Sequence, residues 1–148
     1  MVFPSCSDNL SLIVPSRCYY PPNLAKPLNG LRFAVKDNIH IAGCITLAGS
    51  KDFGALHGIQ SKTADCIKDL IAMGAVLIGK TKTAQFGDGD VLTADWIEGS
   101  CPWNPRGDGY LISSGSSAGS AVAVSAYDWI DFAVGTDSRL LALERFNR

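Results

Sequence analysis

A lysine and a serine-rich segment are the features of this chain best suited to chemistry. Lys36 ends the segment Arg32-Phe-Ala-Val-Lys36, whose alternation and strand-forming residues predict a short β-strand. A lysine held at the end of a buried strand is desolvated, so it loses basic character and can accept a proton near neutral pH. The simpler alternative is a lysine whose stem lies along the strand while its ammonium reaches water.

The serine-rich segment is Ser113-Ser-Gly-Ser-Ser-Ala-Gly-Ser120, which leads directly into Ala121-Val-Ala-Val124. This pattern predicts a tight loop that opens onto a buried, closely packed helix; the structural alternative is a flexible tether. A loop at a helix start presents backbone N–H groups and hydroxyls together, as oxyanion binding and proton relay require. A serine nucleophile needs a base within hydrogen-bond reach. With only His40 and His57 present, both isolated, the available base is a lysine.

Other motifs in the sequence favour no metal, nucleotide or organic cofactor. Gly74–Thr81 has the letters of a phosphate-binding loop, but such a loop needs a strand before it and a helix after its lysine. Here a helical pattern precedes Gly74, and the middle residues read as a strand. The five cysteines are irregularly spaced without a C-x-x-C pair, which predicts reduced thiols and neither a disulfide framework nor a zinc site.

The elements that must position these residues alternate between strand and helix, which predicts an α/β fold with a partly parallel sheet. Residues 1–30 hold five of the seven prolines and predict an irregular leader. A strand is expected at 32–36, and the glycines at 43, 49, 54 and 58 predict loops over 37–61. A helix follows from Thr63, which Gly74 ends, and then a strand at 75–78. The remaining expected elements are a long connection over 87–115, a helix that the serine-rich segment opens and a strand at 129–134.

Several ordered blocks of the sequence resemble the amidase signature hydrolases, and the resemblance spans about residues 28–137. The first block, Gly30–Asn38 with Gly43–Ser50, resembles the family's strand that ends in Val-Lys-Asp, and Gly74–Thr81 resembles its Gly-Ala-x-x-x-Gly-Lys-Thr strand. Trp103-Asn-Pro105 matches the family's Trp-Asn-Pro loop. Gly115–Ser120 resembles the Gly-Gly-Ser-Ser-Gly-Gly-Ser loop, with Ser114 and Ala118 in place of glycines. Ordered blocks are more specific than any single motif.

The resemblance implies the N-terminal portion of the amidase-signature fold, a mixed sheet covered by helices, here incomplete. It also implies a Ser–cisSer–Lys mechanism, in which Lys36 matches the base and Ser116 matches the serine that follows a cis peptide bond and relays the proton. The implied reaction is hydrolysis of a carboxamide C–N bond in a small-molecule amide through an acyl-enzyme. The backbone amides of an Asp-Thr-Gly-Gly-Ser turn would hold the oxyanion.

The sequence departs from the family pattern after Asp137. Val134-Gly-Thr-Asp137 opens the last turn correctly, but Leu141 stands where the nucleophile serine belongs, and Arg139 and Leu140 replace the two glycines before it. We therefore expect a truncated copy that lacks amide hydrolysis. The alternative is a non-catalytic binding or interaction protein derived from an amidase domain. The predicted organisation is a leader at 1–30, the N-terminal part of an amidase-signature domain at 31–137 and a divergent tail at 138–148.

Composition excludes other classes of function. Thirteen Lys and Arg against fourteen Asp and Glu give the 148-residue chain a formal net charge of −1, so no basic stripe is available to follow a nucleic-acid backbone. No apolar run reaches the roughly 20 residues that span a bilayer, and the first residues lack the positive region of a secretory signal. We expect a cytoplasmic chain with no membrane or nucleic-acid partner. The sequence leaves its oligomeric state open.

Overall fold

The computed structural model describes residues 12–88, 96–111 and 113–137. Its helices and strands are β1 (Arg32–Lys36), α1 (Lys51–His57), α2 (Asp65–Ala72), β2 (Val76–Thr81), α3 (Ala118–Ala126) and β3 (Phe132–Val134), with 3₁₀ turns at Arg17–Tyr19 and Gln85–Gly87. None of the helices in these residues has the length and apolar character needed to cross a bilayer.

The three strands form one parallel sheet in the order β2-β1-β3. Val35 of β1 aligns with Lys80 of β2 on one side and with Val134 of β3 on the other. An isolated antiparallel bridge joins Ile45 to Ile59 outside this sheet. Because parallel strands all end at the same edge, the residues that follow β1, β2 and β3 are brought close together.

Alternate residues of β1 face two different layers. Phe33 and Val35 belong to a core cluster that includes Ile67 of α2. Ala34 points the other way and packs in a second cluster with Ala123 of α3. A central parallel strand covered on both faces reads as a continuous apolar run, which explains the composition of β1. The same alternation puts Lys36 on the α3 side of the sheet.

The predicted strand at 32–36 is confirmed with the same bounds. Strand β2 continues three residues beyond the predicted end, because Gly79–Thr81 pairs with Ala34–Lys36. Strand β3 is shorter than predicted and begins at Phe132. The preceding Asp131 uses its backbone N–H to bond the Arg32 carbonyl at 2.9 Å, and its carboxylate accepts from the Arg32 N–H at 2.7 Å.

The observed helices match the predicted ones less closely than the strands do. The predicted helix at the serine-rich segment is confirmed as α3, but it begins at Ala118, inside the segment. Helix α2 begins at Asp65, later than predicted, because Ala64 has a ψ of 140°, outside the helical region, and the Thr63 hydroxyl accepts a hydrogen bond from the Ala42 N–H at 2.9 Å. Helix α1 lies in a stretch predicted as loops. Ser50 caps its N terminus, accepting from the Phe53 N–H at 3.3 Å, and this cap was the available sequence signal.

Candidate active site

Lys36 lies at the carboxyl end of β1 with its side chain fully buried. Its Nζ donates to the Ser116 Oγ at 2.7 Å and to the Thr136 carbonyl at 3.1 Å. Burial lowers the pKa of Lys36 from 10.5 to about 8, and the negative charge of Asp137 opposes this decrease. An amine in this position can exchange a proton with a hydroxyl near neutral pH.

Ser116 is held by contacts to the segment that follows β2. Its carbonyl accepts hydrogen bonds from the Thr83 hydroxyl at 2.9 Å and from the Ala84 N–H at 3.3 Å. The peptide bond between Gly115 and Ser116 is cis. The preceding Ser114 has φ of +56°, the left-handed region that glycine favours, at a position where the family pattern has glycine.

The start of α3 packs tightly against the same segment. Gly119 donates its N–H to the Lys82 carbonyl at 3.0 Å, and a Cβ on Gly119 would collide with that carbonyl and with the Lys82 backbone nitrogen. Glycine is therefore required here by the close approach of two backbones. This contact fixes the beginning of α3, and with it the loop that carries Ser116, against the end of β2.

The turn after β3 completes the arrangement. The Thr136 carbonyl accepts from Lys36 and also from the Ser117 hydroxyl at 3.1 Å, while its Oγ1 accepts from the Asn38 side-chain amide at 2.8 Å. A Cβ on Gly135 would lie 2.8 Å from the Ser117 Oγ, so this glycine lets the turn approach the serine loop. The residues following β1, β3 and the serine loop thus meet at one edge of the sheet.

A second lysine supports the segment that follows Lys36. The Lys80 Nζ lies 2.6 Å from a carboxylate oxygen of Asp37 and donates to the Thr46 hydroxyl at 2.9 Å, and both charged side chains are largely buried. Burial raises the pKa of the Asp37 carboxyl, and the Lys80 ammonium and the Leu47 N–H partly offset this effect. The ion pair holds the chain beyond Lys36 to β2, so it positions the end of β1.

Of the residues predicted from sequence, the structure brings Lys36 and Ser116 together across 80 positions of the chain. Leu141, at the expected nucleophile position, lies outside the described residues. Thr83 and the Thr136 carbonyl were not identified from the sequence, because a hydroxyl–carbonyl contact and a backbone acceptor leave no motif. Within the described residues, no group of three or more His, Cys, Asp or Glu is placed to hold a metal ion.

The chain is similar in sequence to several known proteins. It is 36% identical over 118 residues to Amidase 1 of Oryza sativa subsp. japonica, covering 80% of this chain and 26% of that protein. It is 34% identical over 131 residues to Outer envelope protein 64, chloroplastic, of Arabidopsis thaliana, covering 88% of this chain and 21% of that protein. The chain therefore spans about a fifth to a quarter of the length of these relatives.

A solved structure and a family model agree with these relatives. The crystal structure of an amidase family protein from Bacillus anthracis str. Ames aligns with a TM-score of 0.63 at 30% identity, covering 78% of this chain and 23% of that one. The likeness confirms the expected fold class, a partial amidase-signature domain. The predicted domain limits at residues 30 and 137 stay a prediction. The Amidase family model matches residues 18–138, and the chain belongs to the Amidase family.

Proposed function

We propose that this chain carries the proton-transfer half of an amide-hydrolysing site, with Lys36 as the base and Ser116 as the relay. The supporting observation is the 2.7 Å hydrogen bond between the fully buried Lys36 Nζ and the Ser116 Oγ. Membership of the Amidase family supports an acyl-transfer reaction on a carboxamide C–N bond. The substrate class follows from the family, and the described residues add no further selection among amides.

The proposed mechanism moves one proton along the pair. Neutral Lys36 takes the Ser116 proton as Ser116 takes the proton of an attacking hydroxyl, which bonds to the amide carbonyl carbon. On collapse the proton returns through Ser116 to the leaving nitrogen, and water then hydrolyses the acyl ester by the reverse relay. The Thr136 carbonyl accepts one N–H of Lys36, and loss of a proton from the ammonium frees a lone pair that can accept the Ser116 proton.

We further propose that this chain does not itself hydrolyse amides. The attacking hydroxyl would come from position 141, which is leucine, and the preceding Arg139 and Leu140 lack the backbone freedom that an oxyanion turn takes from glycine. Removing the nucleophile of a serine hydrolase lowers kcat by about 10⁶-fold. Lys36 and Ser116 alone would therefore leave amide turnover undetectable.

An amide hydrolysis assay tests this proposal. The purified chain and its Lys36→Ala variant are incubated with small primary carboxamides and anilides, and released ammonia or aniline is measured. We expect no difference between the wild-type chain, the variant and a protein-free blank. Turnover by the wild-type chain that disappears in the Lys36→Ala variant would contradict the proposed inactivity, while supporting the role of Lys36 as the base.

A second candidate function is a non-catalytic binding or interaction protein. The observation that favours it is the similarity to a relative whose name refers to the chloroplast outer envelope and to no reaction. This candidate predicts a cooperative thermal unfolding transition and a stable complex with a partner. An isolated catalytic fragment predicts aggregation through exposed apolar surface instead. Size-exclusion chromatography together with thermal unfolding distinguishes the two.

A further inference from the structure

The contact between Lys36 and Ser116 has the residue types and the distance of a nucleophile–base pair. The Ser116 hydroxyl is 2.7 Å from the Lys36 Nζ, and a serine with a base at this distance can be activated without a third residue. Ser116 is partly exposed, and the two residues before it, Ser114 and Gly115, are exposed. The hydroxyl therefore lies between a buried amine and a side of the loop that a small molecule can reach.

The surroundings of the pair favour attack by Ser116 over attack by its neighbour. The Ser117 hydroxyl donates to the Thr136 carbonyl and accepts from the Thr136 N–H at 3.4 Å, so it is engaged by the turn after β3. Helix α3 starts at Ala118, two residues after Ser116. The positive end of the helix dipole is therefore close to Ser116 and favours loss of the proton from its hydroxyl.

We propose that Ser116 of this chain is itself acylated by activated esters, with Lys36 as the general base. This inference rests on the proposed function in one respect, the basic role of Lys36. The Ser116 Oγ bonds to the acyl carbon while its proton passes to the Lys36 Nζ, and the bond from that carbon to the leaving oxygen breaks. The products are a Ser116 ester, an aryl oxide and a Lys36 ammonium that releases its proton to water.

The restriction to activated esters follows from what the pair can supply. An aryl oxide leaves without being protonated, whereas an amide nitrogen must be protonated before it leaves. Ser116 cannot pass the Lys36 proton to that nitrogen while its own Oγ is bonded to the acyl carbon. The burial of Lys36 gives the reaction a defined pH dependence. With a pKa of about 8, half of the amine is neutral at that pH, so acylation should accelerate as the pH rises through 8 and then level off.

The experiment uses 4-nitrophenyl acetate with the full chain. We expect a burst of 4-nitrophenol, an acetyl group mapped to Ser116 by peptide mass spectrometry, and release of that group by hydroxylamine, which cleaves esters but not lysine amides. The Lys36→Met variant should slow acetylation of Ser116 by about 100-fold or more, the usual contribution of a general base. The matched control Lys26→Met, at an exposed lysine, should leave the rate unchanged.

Mapping the acetylated residues of the wild-type chain tests the proposal even if a variant does not fold. Acetyl groups confined to Lys36, to exposed lysines or to cysteines would overturn it, as would acetylation of Ser116 at the same rate in a folded Lys36→Met variant. Titration of a ¹³C-labelled lysine by NMR separates the two proposals. If Ser116 is not acetylated but Lys36 titrates near pH 8, only the proposed acylation is refuted. If Lys36 titrates near its ordinary pKa of 10.5, the role of Lys36 as a base is refuted in both proposals.

Discussion

Replacing Lys36 with methionine should stabilise the fold at neutral pH. Burial lowers the pKa of Lys36 from 10.5 to about 8, so the folded chain resists holding the ammonium that the unfolded chain holds freely. Each pH unit between the two values corresponds to about 1.4 kcal/mol. Keeping Lys36 charged at pH 7 therefore costs up to about 3 kcal/mol of the free energy of unfolding. Methionine has a similar length and carries no charge.

Two lost hydrogen bonds oppose this gain. Lys36 donates to the Ser116 hydroxyl and to the Thr136 carbonyl, and each bond contributes about 1 kcal/mol to stability. The net effect of Lys36→Met at pH 7 is then a gain of about 1 kcal/mol, which corresponds to an increase in Tm of about 2–4 °C for a chain of this size. The gain is expected because the folded chain holds a buried ammonium at a cost to stability, as is common for residues in functional sites.

The pH dependence of this stability difference is a more specific test than its size at pH 7. Between pH 8 and 10.5 the unfolded chain binds a proton at Lys36 that the folded chain has released, so wild-type stability rises with pH in this interval. Below pH 8 both states are protonated, and Lys36 contributes no slope. The variant lacks the titrating group altogether. Lys36→Met should therefore be more stable than wild type at pH 7 and less stable at pH 10, with the two curves crossing between.

Urea unfolding followed by circular dichroism at pH 7, 8, 9 and 10 measures the difference directly. Other groups titrate in this range, but they are common to both proteins and cancel in the difference. Lys26→Met, at an exposed lysine, is the matched control and should show a difference that does not change with pH. A constant difference between wild type and Lys36→Met across the series would refute the reasoning from burial.

Two further substitutions test the framework around the site by urea unfolding. Asp37→Asn leaves the largely buried Lys80 ammonium without its carboxylate and should lower the free energy of unfolding by about 3–5 kcal/mol. The control Asp65→Asn removes an exposed ion pair of nearly the same length and should have no measurable effect. Equal effects of the two substitutions would contradict the role of burial. Gly119→Ala drives a Cβ into the Lys82 backbone and should cost about 1–3 kcal/mol or more, and an unchanged midpoint would show that this approach is not tight.

The strand that carries Lys36 could be predicted because its signal is local. Arg32–Lys36 is a compact run of strand-forming residues, and the structure reproduces its bounds. The partner of Lys36 could not be found in this way, since Ser116 lies 80 positions away and its approach depends on how α3 crosses the sheet. Only the resemblance to a family placed the two residues in one site, and spacing alone left the lysine with an alternative role at the protein surface.

Helix α1 was missed because its glycines suggested loops. Gly54 lies inside the helix, where a Cβ would come within 3.0 Å of the Ile45 Cγ2, so the glycine serves packing and does not mark a turn. Gly49 has φ of +76° just before the helix, and a Cβ there would lie 2.8 Å from the Gln85 Cα. Gly49 is explained by the approach of Gln85, which is distant in sequence, and Gly54 by packing against the loop that precedes its own helix; local propensity represents neither contact.

The proposed roles of Lys36 and Ser116 allow proton transfer and amide hydrolysis to be tested separately in this chain. The contacts that set the Lys36 environment come from Ser116, Thr136 and the buried strand β1, all within the described residues. The attacking hydroxyl of the family mechanism belongs instead to position 141, where the sequence has leucine. Because the lowered pKa of Lys36 needs only the first set, it should persist whether or not amide turnover is measured. A shifted lysine without amidase activity is thus the expected state of this chain, and an active amidase with an ordinary lysine would contradict both the proposed base and the proposed inactivity.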